Sequence, residues 1–208
     1  MGKGSSALGI VIIIIIVGAV IFLDLPFLPS GDTQHTKGDY VGIGMTIHYT
    51  DGHTETIHPE RAIPLMPLTV YVDGSPISSI DYDVFCQLSW VGDLTSVTYD
   101  TDIRIVDAEP TEIMKEGSKL NYVYTPSQNE WVKTLGISIT AQEIETWADT
   151  HSALWVAVEG HATVNVDVAF ANGEHITKSG SVEGGVMCGV QANQVNAMSV
   201  DISINPIF

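Results

Sequence analysis

TVNVDVAFANGEHITKS, residues 163–179, decides the fold. Its first half alternates Val164, Val166, Val168 and Phe170 with Thr163, Asn165, Asp167 and Ala169, the period of two that a half-covered strand requires. Asn172-Gly173 is a dipeptide favoured in two-residue hairpin turns, and Glu174–Ser179 is the returning strand. That register sets Asp167 opposite Lys178 as a cross-strand ion pair on the polar face, with His175 on the valine face. The segment reads as an antiparallel hairpin with one face buried.

The same pattern recurs along the chain. Met45–Thr50, Asp51-Gly52 and His53–His58 read as a second two-residue hairpin. In its expected register Thr50 pairs with His53, Tyr49 with Thr54, His48 with Glu55 and Ile47 with Thr56. Met45, Ile47, Tyr49 and Thr54 then share the core face, and His48, Thr50, His53 and Glu55 the other. Leu68–Val72, Val84–Trp90, Ser96–Tyr99, Asp102–Val106, Leu120–Tyr124, Leu154–Glu159 and Ser199–Asn205 are further strand candidates, spaced by turn residues as a sandwich demands. One helix stands out: Thr140 caps it, Glu143 completes a capping box, and Ile144, Trp147, Ala148 and His151 form its covering face. The fold class expected over residues 39–208 is mostly β, an immunoglobulin-like antiparallel sandwich with one short helix.

Composition narrows the function. The 208 residues carry 8 Lys+Arg against 25 Asp+Glu, a net charge of −17, which excludes a binder of nucleic-acid phosphates. Hydrophobic residues make up 45%, enough for a core. Charged residues are 16%, below the roughly 25% usual for globular chains, so neutral polar groups must cover much of the surface.

The N-terminus sets topology. Ala7–Leu23 (ALGIVIIIIIVGAVIFL) holds no charge and spans about 25 Å as a helix at ~1.5 Å per residue. Lys3 and the α-amino group precede it and Asp24 follows, a bias that leaves residues 1–6 cytoplasmic. Residues 7–25 then cross the lipid, 26–38 form a Pro/Ser/Gly linker, and the β domain is extracytoplasmic at the cell surface. An uncleaved anchor and a signal cleaved after the apolar run are both open. So is a third reading. Lys3-Gly4 ahead of Ser5-Ser6-Ala7-Leu8-Gly9 and an Ile-rich run resembles the class III signal of archaeal pilins and archaellins. The resemblance covers roughly the first 25 residues. It implies cutting on the cytoplasmic side and an apolar helix retained in a filament core below a β-sandwich head.

The sequence lacks the common catalytic motifs. G-x-S-x-G, a suitably placed S-x-x-K, Walker A and a post-strand G-x-G-x-x-G do not occur, so no catalytic or cofactor-binding residue is expected. His48, His53 and Glu55 on one hairpin face would suit Zn²⁺ or Cu²⁺, yet a solvated polar face explains them more simply, and no metal is expected. Asp81-Tyr-Asp83 and Asp100-Thr-Asp102 lack the rest of a calcium loop. Cys86 and Cys188 are a disulfide candidate outside the cytoplasm, worth ~4–5 kcal/mol on the chain-entropy argument; two separate buried thiols are the alternative. Trp90, Trp147 and Trp155 read as core, and Trp131, in a polar stretch, as an exposed interface aromatic. The expected function is a non-enzymatic surface assembly or adhesion protein, membrane-held through residues 7–25, with self-assembly or protein partners. The alternative is a metal- or ligand-binding accessory subunit of a membrane complex.

Overall fold

A computed structural model describes residues 38–108, 112–191 and 193–208. The segment 1–6, the apolar run 7–25 and the linker up to residue 37 lie outside the described residues. Among the described residues no helix is long and apolar enough to cross a membrane.

Eleven strands build two antiparallel sheets among the described residues. The first contains β1 (Tyr40–Tyr49), β2 (Thr54–Ile57), β4 (Ile77–Gln87), β7 (Trp131–Thr140) and β11 (Ile204–Pro206), ordered β11-β1-β4-β7 with β2 also on β1. The second contains β3 (Leu68–Tyr71), β5 (Leu94–Asp107), β6 (Ile113–Val123), β8 (Trp155–Phe170), β9 (His175–Gln191) and β10 (Gln194–Ile202), ordered β3-β10-β9-β8-β5-β6. The expected sandwich is present as two packed sheets around one core. The expected helix, α1 (Ala141–His151), is present with both halves of its capping box: the Glu143 amide donates to Thr140 Oγ1, and the Thr140 amide to Glu143 Oε2. Ile144 and Ala148 are its buried residues.

The sheets meet where side chains are missing. Gly160 on β8 lies directly opposite Gly184 on β9, opening a hole in the second sheet. Ile43 of β1 and Tyr82 of β4 fill it. A Cβ on Gly160 would come within 2.8 Å of both, and one on Gly184 within 2.5 Å of Ile43 and 2.7 Å of the Asp201 carbonyl. At the bottom of the hole the buried Tyr82 hydroxyl donates to the Val158 carbonyl at 2.6 Å, a hydrogen bond from one sheet to the other. Burial holds its phenol well above the usual range.

Both hairpins depart from the expected register by one residue, for the same reason. Gly52 and Gly173 have φ of +96° and +85°, but Asp51 and Asn172 are absent from the left-handed region. A type I′ turn needs positive φ at both central residues. The turns are instead three-residue loops: the Gly52 amide donates to the Tyr49 carbonyl and the Tyr49 amide to the His53 carbonyl, with the equivalent pair at Phe170, Gly173 and Glu174. Ile47 therefore pairs with Glu55 and His48 with Thr54. In the second hairpin Asp167 pairs with Thr177 and Val166 with Lys178. The expected Asp167–Lys178 pair is thus replaced: Asp167 contacts His175 at 3.2 Å, and Lys178, turned to the other face, pairs with Asp39.

Gly184→Ala forces a Cβ against backbone and should lower unfolding free energy by about 1–3 kcal/mol. Tyr82→Phe should cost about 1–2 kcal/mol through the unmade inter-sheet bond. Urea titration of both variants checks this, the midpoint falling at unchanged slope.

Candidate functional site

The hairpin candidates are not gathered. The corrected register places Glu55 on the core face, where it accepts from the Tyr49 hydroxyl at 3.1 Å. His48 lies on the opposite face and meets Asp81 at 2.8 Å. His53 sits at the loop tip, stacked on Tyr49 at 4.0 Å, with Nδ1 2.5 Å from Asp51 and Nε2 3.6 Å from Asp73. The three residues expected to share a face thus have three different partners. Burial, then Glu55, pushes the Tyr49 phenol up to about 12. The hydrogen bonds from His53 hold the Asp51 carboxyl below its ordinary value. Among the described residues no group of three or more His, Cys, Asp or Glu could hold a metal ion.

The acidic pairs have partners too. Asp81 faces His48, Asp83 pairs with Lys133 at 2.6 Å, and Asp100 accepts the Asn121 amide at 2.6 Å. Asn121, with φ of +54°, marks a bulge where β6 slips against β5 between Tyr99 and Thr101.

Cys86 and Cys188 are both buried free thiols, Cys86 on β4 of the first sheet and Cys188 on β9 of the second. The candidate disulfide is not formed; each sulfur serves as a small apolar core group. Burial raises the Cys188 thiol to about 12 and pushes Cys86 up as well.

On the outer face of the first sheet, His58 caps the 3-10 turn Pro59–Arg61 by accepting the Glu60 amide on Nδ1 at 3.4 Å. Its ring packs edge-on to Phe85 at 4.4 Å and Trp131 at 6.5 Å. Gly42 and Gly44 leave the room: a Cβ there would meet Pro59, Trp131 and Phe85. Trp131, expected to be exposed, is therefore half-buried and covers Gly42. Burial lowers the His58 pKa from 6.5, in keeping with an Nδ1 that must accept a hydrogen bond.

The large exposed apolar side chains lie chiefly elsewhere. Across the solvent face of the second sheet Ala157, Met187, Ser199 and Tyr71 form one cross-strand row. Trp155 lies one row on, its ring over Gly189. Tyr71 is 86% exposed, Trp155 56% and Met187 41%; Leu154 and Met198 are exposed beside them. Trp155 was expected in the core; strand alternation turns it out, because Val156 and Val158 face in. Beside this row runs a groove of about 500 Å³ floored by Gly184 and Gly185 and walled by Leu65, Pro67, Ala157 and Met187. Glu159, Glu183 and Asp201 also line it. Strand alternation with a flanking glycine was the only sequence signal available for it.

Compared with protein-family models, curated proteins and solved structures, the chain matches none.

Two predictions follow from these environments. Because the folded state depresses the His58 pKa, the unfolded chain binds more protons below about 6.5, so His58 contributes a loss of stability as pH falls through that value. His58→Gln should flatten this part of the stability–pH curve, and the imidazole should titrate by NMR below 6.5. The two thiols should resist iodoacetamide in the native protein and both react in denaturant, with no mass change on reduction; alkylation read by mass spectrometry decides it.

Proposed function

We propose that the chain is a non-enzymatic cell-surface assembly or adhesion protein, held to a membrane or packed into a filament through residues 7–25. In this reading residues 1–6 are cytoplasmic and the β domain lies outside the cell. The domain is immunoglobulin-like in architecture, two antiparallel sheets packed face to face, with eleven strands where immunoglobulin domains have seven or nine. The observation that carries the reading is the exposed Tyr71–Met187–Trp155 surface. Exposed aromatic and methionine side chains clustered on a sheet face are the composition of a protein interface.

Polarity along the strands supports the same reading. β1 starts next to Asp39, where the chain arrives from its apolar segment; the Ser89 amide and Lys178 both bond this carboxylate. Trp155 lies at the far end, beyond fifteen residues of β8 from Phe170, which neighbours Leu94 and the 170–174 turn. The aromatic surface thus lies at the opposite end of β8 from Phe170.

Labelling of intact cells with an impermeant lysine reagent should modify Lys119, and mass spectrometry of the native N-terminus should find Met1 intact or a cut after Gly4. Absence of labelling, with labelling restored on lysis, overturns the surface reading.

A further inference from the structure

We infer that the groove between Leu65 and Met187 is a docking site for a protein segment that alternates apolar with Lys or Arg side chains. Three observations fix that occupant. Leu65, Pro67, Ala157 and Met187 give the groove apolar walls, and the Glu159 side chain lies along Gly185 at its floor. Exposed Tyr71 and Trp155 flank it as rigid anchors.

The third observation is charge. Glu159, Glu183 and Asp201 project into the groove, and no Lys or Arg lines it. Lys and Arg are sparse in the strands that build it, none occurring between Lys133 and Lys178 or after Lys178; Arg104 lies two strands from Glu183, in the row Arg104–His161–Glu183. Asp201 accepts from Thr69 at 2.5 Å, and Glu159 contacts His161 at 3.1 Å. Among the described residues no side chain pairs with the Glu183 carboxylate, whose backbone carbonyl accepts from Ser203. An acidic rim around apolar walls repels nucleic acid and anionic lipid and steers in a basic segment. A second copy of this chain, at −17, meets the same repulsion.

The inference deepens the surface-assembly reading and rests on it only for where the partner is met. The test uses the full chain in phosphatidylcholine nanodiscs and two synthetic peptides, one alternating Leu with Lys and its counterpart alternating Leu with Glu. The Leu–Lys peptide should bind and quench or shift Trp155 fluorescence, and the Leu–Glu peptide should not. Glu183→Lys and Met187→Lys, each checked for an unchanged thermal melt, should weaken binding at least tenfold. Glu174→Lys, a reversal at the remote hairpin turn, should leave it within twofold. Equal weakening by Glu174→Lys, equal binding of both peptides, or self-association that the peptide does not displace overturns the inference. Cell-surface labelling is untouched by any of these outcomes, so failure of the groove and failure of the surface reading are separable.

Discussion

The buried hydrogen bond from Tyr82 to the Val158 carbonyl is the constraint around which the sandwich is arranged. For a phenol that deep in the core an unmade bond costs the full desolvation of its hydroxyl, and Tyr82 makes the bond where the equally buried Tyr99 hydroxyl has no partner among the described residues. The acceptor lies on the other sheet, so the two sheets are fixed in distance and in lateral position by one side chain. Reaching it requires the facing Gly160–Gly184 pair, because any Cβ at either position occupies the space Tyr82 and Ile43 use. Glycine normally weakens a strand interior. Here the weakening is offset by contact that no larger residue would allow.

The same device appears on the outer surfaces. Gly42 and Gly44 admit Pro59, Phe85 and Trp131 over the first sheet, and Gly189 admits the Trp155 ring over the second. The outcomes differ. The first cluster is closed by the His58 turn and becomes a small satellite of the core. The second has no cover: Trp155, Met187 and Tyr71 stay open to solvent beside a groove. The physical difference is the turn Pro59–Arg61, which folds back over its sheet, whereas β3, only 4 residues long, ends at Tyr71 and leaves the row bare.

Much of the fold was legible because alternation is a direct consequence of strand geometry. Val164, Val166 and Val168 are all in the core, and Thr140 and Glu143 cap α1 as a capping box should. Registers were not legible, since Asp51-Gly52 and Asn172-Gly173 fit both a two-residue turn and the longer loop, and only the backbone angles distinguish them. β8 read as two strands because Gly160 interrupts the pattern, yet that glycine is the seat of the inter-sheet contact. β7 escaped because its phase changes: Val132 and Thr134 are buried, then Ile139, with a register shift opposite Val84/Phe85. The hairpin candidate site failed with its register, and the groove was not legible because its walls bring the loop residues Leu65 and Pro67 against β8, β9 and β10 residues distant in sequence.

Charge placement completes the picture. Of the lysines in the described residues, Lys115, Lys133 and Lys178 each pair with a carboxylate of this chain: Glu143, Asp83 and Asp39. Each joins two segments distant in sequence, fastening β6 to α1, β7 to β4, and β9 to the residue that precedes β1. Half-exposed pairs of this kind add little stability, roughly 0–1 kcal/mol. Their larger effect is on the field: by pairing three of the four described lysines internally, the domain leaves the remaining carboxylates to set the potential over the exposed sheet. Apolar contact area alone would make that face sticky toward any partner, a further copy included. On the docking inference, the carboxylates beside it favour partners that bring cations, so selectivity rests on what the surface repels as much as on what its aromatic side chains attract.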